Sequence, residues 1–504
     1  MGTQYLTEQK FDYSGGVNQS VSRLLMAENE CNVLQNVEMD QVGSIFKVRG
    51  YTQKGADVND GYDILGMASC YKTDGTQKQI AIANGASNSD AYTYNPITNV
   101  WTDHHLSLTT GAKAEFEYFL DGWFMVNFED ATRWNNFTQW YTTNNVTDAA
   151  KAKYIRLYLS RLYLAYVTTG GSTFPSRITY SDLPDGSPLT LTWDDTTNYF
   201  DVNPDDGDII KGLTVNSNRL LIFKEKSLYR YDTNTLYQVP GCPGTVSQRS
   251  VKNNQGMTYY LHSSGIWAYN GETSQLISRK IKDIIEGIST KNLTNACSYV
   301  SGDHYYLYVG DIVNSKTGLS ITKCLIDYDI AKNAFAWRSL EKTPLIFAVY
   351  RDDRSAITYN DTSLTYNSAE TTYNGLISSE DRVYFGSDDG YVYQFNTGTD
   401  MDGSDIPLVI ETKDYYLGYP ALYKMLQKIH IFVNGGQGAI TVQFKMDDED
   451  WKTLGKVDKT QTELIFPAAS RCNRVRFRIL ESSKGDRFSF EGFDIYFSAA
   501  GLIV

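Results

Sequence analysis

Few side chains in this 504-residue chain have the types and spacing to do chemistry. Asp201, Asn203 and Asp205 place oxygen atoms at alternate positions, as calcium loops do. The glycine that such a loop needs comes one place late, at Gly207, and Gly212 stands where a closing Glu belongs. Asp400-x-Asp402-Gly403 is a shorter version of the same pattern. Solvated turns are the expectation for both, with no metal and no cofactor. Trp123, Trp134 and Trp140 crowd together with Phe124, Phe128 and Phe137. Such a cluster can contact a sugar or a partner, and core packing is the competing use of the same rings. The histidines, His104, His105, His262, His304 and His430, fall in no metal-ligand spacing. Cys31, Cys70, Cys242, Cys297, Cys324 and Cys472 are scattered without a CxxC pair, which predicts reduced and mostly buried thiols. GxSxG, HExxH and Walker A patterns do not occur. The chain therefore reads as a non-enzyme.

Composition narrows the classes further. A hydrophobic content of 41% with 38 Tyr argues against disorder. No run approaches the roughly 18 apolar residues of a membrane span, and MGTQYLTEQKFDYSGG lacks the basic start and apolar core of a secretory signal. Leu6 breaks the myristoylation pattern. A formal charge of −13, with no long basic run, speaks against a surface that grips nucleic acid. It suits solubility, or a surface past which nucleic acid slides without sticking. Ser387-Asp388-Asp389-Gly390 has some likeness to the Asp-box turn of sialidase propellers, yet Tyr391-Val392 follows where Thr-Trp should. A hairpin turn is the simpler reading. A glycosidase or depolymerase stays open as an alternative, because its two carboxylates need not be close in sequence. So does a receptor-binding or carbohydrate-binding module.

The elements that must position these residues are strands. Short runs rich in Tyr, Val, Ile, Phe and Thr alternate with Gly, Asn, Asp and Ser turns. Only Ala27–Val37 and Arg279–Ile288 have the pattern of short helices. One phrase recurs: an apolar strand, a polar turn, then an aromatic strand ending in Tyr-x-Tyr or similar. RLLIFKEKSLYRYD (Arg219–Asp232), MTYYLHSSGIWAYNG (Met257–Gly271) and RVYFGSDDGYVYQFNTG (Arg382–Gly398) show it best. Each reads as a hairpin, with turns at Lys224–Ser227 and Ser387–Gly390. Starts near residues 79, 122, 161, 219, 257, 302 and 382 give spacings mostly near 40 residues, 38–45 in four of six, as expected for one four-stranded blade per repeat. The wide last gap predicts an insertion or a degenerate blade over Asp352–Ser378.

The predicted fold is therefore all-β. Residues 61–400 form a β-propeller of six or seven blades, some degenerate. A C-terminal jelly-roll-like β-sandwich covers 405–504, with about seven strands and turns at Asn434–Gly436, Asp447–Asp450 and Ser483–Asp486. Residues 1–60 form an N-terminal docking segment too small to bury a core of its own. It must pack on the propeller or on a neighbour.

Phe11, Gly15-Gly16-Val17-Asn18, Leu34-x-Asn36-Val37, Gly43 and Arg49-Gly50-Tyr51 together form a motif over about 45 residues. This opening resembles that of the tail hub or nozzle proteins of short-tailed bacteriophages, also described as tail tubular or stabilisation proteins. The resemblance implies a structural virion protein, assembled in the host cytoplasm into the phage tail. It implies a homo-oligomeric ring, usually a homohexamer, below the portal and adaptor at the head–tail connection. Such a ring extends and helps close the DNA channel, takes part in DNA ejection and docks fibre or needle proteins. Packaged DNA would pass without specific binding. By the same resemblance Phe11, Gly15, Gly16, Val17, Asn18, Asn36, Gly43, Arg49, Gly50 and Tyr51 become the expected subunit- or partner-docking residues. Trp123, Trp134 and Trp140 are expected as possible partner or sugar contacts.

Overall fold

The computed structural model describes residues 6–39, 43–95, 98–352, 380–418, 420–435, 439–482 and 488–502. The insertion expected over Asp352–Ser378 and the turn expected at Ser483–Asp486 lie outside these residues, apart from Asp352 itself. Strands account for nearly all regular structure. The α-helices among the described residues are Lys282–Glu286 and Thr290–Asn295.

Six separate four-stranded sheets and a seventh four-strand unit make up the propeller. Blades one to five run consecutively, with first strands Ile64–Tyr71, Glu115–Phe119, Lys151–Tyr158, Ile210–Asn216 and Lys252–Asn254. Blade six comprises Cys297–Ser301, His304–Asn314, Leu319–Asp329 and Ala334–Ser339. Blade seven takes Pro344–Asp352, Glu380–Ser387 and Val392–Phe395, and its outer strand is Tyr51–Gln53 from the N-terminal region. The ends of the propeller are thus pinned together, since the first strand of blade seven packs against the first strand of blade one.

The recurring phrase is the second and third strand of each blade. Its expected starts coincide with second strands beginning at Gln77, Gly122, Arg161, Arg219, Met257, His304 and Glu380. The second strands are buried almost continuously, between blade neighbours on both faces, and aromatic rings of the blades pack against one another across these contacts. Phe200 stacks on Tyr231 at 4.6 Å between blades three and four, Phe223 meets Tyr260 at 4.9 Å between four and five, and Tyr299 meets Phe347 at 4.8 Å between six and seven. Such pairs add roughly 0.5–1.5 kcal/mol each beyond their burial.

The N-terminal residues enter as β1 (Leu6–Lys10), β2 (Gly16–Val17), β3 (Glu30–Gln35), β4 (Val37–Met39), β5 (Ile45–Lys47) and β6 (Tyr51–Gln53). The expectation of a helix over Ala27–Val37 is corrected by β3 and β4. Strands pairing on both sides of β3 outweigh the weak helical spacing of Leu34 and Val37. The helix expected over Arg279–Ile288 is present as a 3-10 turn, Ser278–Ile281, followed by Lys282–Glu286.

Two sheets form the sandwich. One has the order Glu463–Ile465, Leu422–Gly435, Phe488–Leu502, β5, β4, with β1 also on Phe488–Leu502. The other contains Leu408–Thr412, Val475–Glu481, Ile440–Met446 and Lys452–Val457. That second sheet does not end at the sandwich. β3 pairs antiparallel with Leu408–Thr412 on one edge and in parallel, through Gln35 opposite Trp337, with the outer strand of blade six on the other. Blade six, β3 and the sandwich sheet are one ten-stranded sheet, to which β2 also belongs. One apolar cluster accordingly runs from Tyr259 and Phe335 in the propeller, through Val17 and Leu34, to Ile410 and Phe493 in the sandwich.

Candidate functional site at the seam and on the propeller axis

The docking residues expected from the N-terminal motif lie along the seam between propeller and sandwich. Gly16 has φ +69°, and a Cβ there would come within 2.7 Å of the Phe335 amide nitrogen, so only glycine lets β2 lie on blade six. Gly15 donates its N–H to the Asn29 carbonyl at 3.0 Å. Val17 is fully buried in the shared cluster. The Asn18 amide donates to Glu30 at 2.7 Å, and its carbonyl oxygen accepts from the Ser20 N–H. Asn36 adopts φ +56° between β3 and β4. Its side chain donates to the Pro407 carbonyl at 2.7 Å and accepts from the Ser339 N–H at 2.9 Å, so one amide clamps blade six to the strand that begins the sandwich.

Further along, Gly43 lies against the Phe11 carbonyl. Gly50 sits so close to Asp400 that a Cβ would overlap its carbonyl. Tyr51 is buried between Phe385 and Tyr393, and its hydroxyl accepts from the Lys342 N–H at 2.9 Å. Of the ten residues, Phe11 and Arg49 are exposed; Phe11 also packs on Phe432 at 5.1 Å.

Charge at the seam is buried and compensated. The Lys47 ammonium meets Glu481 at 2.5 Å, with both side chains almost fully enclosed. Glu411 accepts from Arg476 at 3.0 Å, from Arg478 at 2.8 Å and from Asn32 at 2.9 Å. Arg476 also reaches Asp414 at 2.7 Å. Lys413 bonds Glu28 and the Met26 carbonyl, both at 2.8 Å.

The tryptophans belong to the blades. Trp123 is 1% exposed and stacks on Phe137 at 4.4 Å. That burial corrects its reading as a sugar or partner contact. Trp134 stacks on Tyr141 at 5.4 Å, and Trp140 packs, half-buried, against the core between blades one and two. The Asp201–Asp205 loop is filled from within. The Lys224 ammonium, wholly enclosed, bonds the Asn203 carbonyl at 2.9 Å and both oxygens of Asp206 at 2.8 Å, where a cation would sit. Asp206 is partly buried, which opposes ionisation, yet the Lys224 bond holds its carboxyl below the ordinary value. Asp201 itself pairs with Arg177 at 2.8 Å. No cluster of three or more His, Cys, Asp or Glu side chains suits a metal among the described residues. In the Ser387–Gly390 turn, Asp389 accepts from Tyr393 at 2.8 Å and pairs with Lys342 at 2.9 Å, as a hairpin turn with Gly390 at φ +84° requires. Five cysteines, Cys31, Cys242, Cys297, Cys324 and Cys472, are free and buried.

The site that sequence reasoning missed is the propeller axis. A buried 3-10 turn, Gln248–Ser250, leads into blade five. Gln248 exchanges two 2.8 Å bonds with the Leu213 backbone of blade four, and Ser298 of blade six donates to the Arg249 carbonyl at 2.9 Å. The Arg249 guanidinium then spans the axis. It donates to the carbonyls of Leu65 at 2.5 Å, Ala114 at 3.2 Å and Leu345 at 3.0 Å, on blade one, at the start of blade two and on blade seven. Its Nε stands 3.5 Å from Glu115.

Two cavities share Glu115, Gln248 and Arg249 as walls. One, of about 360 Å³, takes Lys113, Lys153, Lys211 and Asn127 in its lining; the other, of about 200 Å³, takes Glu117, Arg156 and Lys252. Cations outnumber anions here, against the sign of the whole chain. Arg156 reaches Glu115 and Glu117 only at 3.8 and 3.9 Å. Lys153 lies over the rings of Tyr166 at 3.7 Å and Phe128 at 4.8 Å, and Lys113 bonds Asn295 at 2.7 Å. No carboxylate stands within ion-pair distance of Lys113, Lys153 or Lys252 among the described residues. Burial, then Arg156, lowers the Lys252 ammonium from its ordinary value. Burial, then Lys211, does the same for Lys153. Lys113 stands at the rim and is exposed as a residue, yet desolvation of its ammonium, then Arg249, lowers it to about 8. Burial raises the Glu117 carboxyl, against the opposing pull of Arg156.

No family model and no curated relative matches this chain. Its solved neighbours are distant. A structure of YCF48 bound to D1 peptide matches with 8% identity and a TM-score of 0.40, over 72% of this chain and 98% of that one. The extracellular domain of a one-component system from B. thetaiotaomicron, BT4673, matches with 11% identity and a TM-score of 0.41, over 86% of this chain and 57% of that one. The β-propeller assignment rests on the strand pairing described above.

Proposed function

We propose that this chain is a structural virion protein that forms a ring of six copies in the tail of a short-tailed bacteriophage. In this reading the ring extends and helps close the DNA channel below portal and adaptor, and docks other tail parts. The observation that carries it is the place of the N-terminal motif. Gly16 and Asn36, which help supply its resemblance to tail hub proteins, let β2 and β3 weld propeller to sandwich, and Gly50 lets β6 close blade seven. A ring that holds back packaged DNA needs subunits that do not hinge, and a shared ten-stranded sheet supplies that stiffness. Two faces are needed for a closed ring, because each contact is heterologous. The exposed Val21, Leu24 and Leu25 segment, with Leu25 78% exposed, offers an apolar element for one of them.

Since Arg249 braces the propeller axis, the DNA path in this reading runs through the lumen between copies, not through each propeller. A net charge of −13 suits such a lumen. Mixing the purified chain with a portal–adaptor complex and measuring sedimentation tests the proposal. Addition of six copies is the expected outcome, with Leu25→Asp weakening it. A chain that stays monomeric in that mixture, or that cleaves a polysaccharide, overturns the reading.

A further inference from the structure

The cations on the propeller axis have no role in the ring. Blade five sends Arg249 across the axis with its donors spent on three backbone carbonyls. Around that fixed strut, Lys113, Lys153 and Lys211 line a cavity of about 360 Å³. Lys211 has a distant partner, Glu225 at 3.7 Å, whereas Lys113 and Lys153 have none within ion-pair reach among the described residues. Holding ammonium groups together in a partly desolvated pocket, with Glu115 and Glu129 acting on them only from beyond ion-pair distance, is unfavourable. Among the described residues Lys113 bonds only the neutral Asn295 amide and Lys153 meets only the Tyr166 and Phe128 rings, whereas the seam pairs its charges with carboxylates.

We propose that the axial cavity binds a phosphate-class oxyanion through Lys113 and Lys153, with Asn127 and Gln248 as further polar walls. A tetrahedral dianion matches this surplus of point charges. Two ammonium groups supply charge-assisted hydrogen bonds without the planar fork that carboxylates favour. Glu115 and Glu129 stand in the same wall. The ligand is either free phosphate or the terminus of a phosphomonoester.

Titration calorimetry of the full chain at low ionic strength tests this, with inorganic phosphate, ribose 5-phosphate and sodium chloride at matched ionic strength. Saturable binding of phosphate that chloride does not reproduce is expected. Tighter binding of ribose 5-phosphate would identify the phosphomonoester as the ligand form, and tighter phosphate the free ion. Lys113→Gln, at an exposed position and so harmless to packing, should weaken binding at least tenfold. Lys252→Met, in the neighbouring cavity, should weaken it about twofold through charge alone. Equal heats from phosphate and chloride, or unchanged affinity in Lys113→Gln, would overturn the proposal. Phosphorus-31 line broadening by the natural chain, absent with Lys113→Gln, supplies a second readout.

Discussion

The seam and the axis treat charge in opposite ways. At the seam, Lys47 is matched by Glu481, and Arg476 and Arg478 by Glu411 and Asp414. On the axis, Lys113, Lys153 and Lys252 converge from three blades with no carboxylate in reach among the described residues. Pairing at the seam is what a permanent joint requires, because a lone buried charge costs several kcal/mol. The open charges on the axis are carried by a scaffold that is rigid for other reasons: seven blades, a closing β6 and the Arg249 strut. Stability and readiness for a ligand are thus divided between two places, each recognisable by whether its charges are satisfied.

Substitutions that unbalance the seam should be the most damaging. Lys47→Met leaves Glu481 buried without its ammonium and should cost about 3–5 kcal/mol in urea unfolding. Gly50→Val forces a side chain into the Asp400 carbonyl and should cost about 3 kcal/mol. Asn36→Ala removes the clamp between Pro407 and Ser339 and places alanine at φ +56°, for an expected loss of about 1–2 kcal/mol. The axis should answer differently. Lys252→Met removes an uncompensated cation and should leave stability unchanged or raise it by up to about 1 kcal/mol. A loss as large as that of Lys47→Met would erase the distinction between the two regions.

The smallest effect is in pH dependence. Folding lowers Lys113 from the ordinary lysine value of 10.5 to about 8. Between these values the unfolded chain holds a proton that the folded chain lacks, so stability should rise with pH across that window. The penalty is fully present below about pH 8. Lys113→Gln should flatten that rise, measured as urea midpoints from pH 7.5 to 10.5.

The blades were legible because each is local. Tyr229 and Tyr231, Tyr259 and Tyr260, and Val392 and Tyr393 sit in hairpins whose two strands are neighbours in sequence, so alternation and turn residues suffice. The weld was not legible. β3 pairs with strands some hundreds of residues away, and nothing in Glu30–Gln35 itself names those partners. The same residues carry enough helical spacing to suggest the wrong element. Residues 1–60, read as a docking segment, supply strands to both sandwich sheets and to blade seven. The axis was hidden for a related reason. Lys113, Lys153, Arg249 and Lys252 carry no signal in their own loops, turns and strands and become a site only when seven blades close. The Asp201–Asp205 loop shows a subtler limit. Its Asn203 carbonyl and the adjoining Asp206 carboxylate do meet a cation, but the cation is Lys224, supplied by the next blade.

Native-state hydrogen exchange under increasing urea tests the weld most directly, by comparing amides of Tyr305–Val309 in blade six with those of Val475–Glu481 in the sandwich. The shared sheet and core predict that both lose protection together, with one urea dependence, and that Asn36→Ala shifts both. Separate midpoints, with the sandwich opening while the blades stay protected, would contradict a welded body.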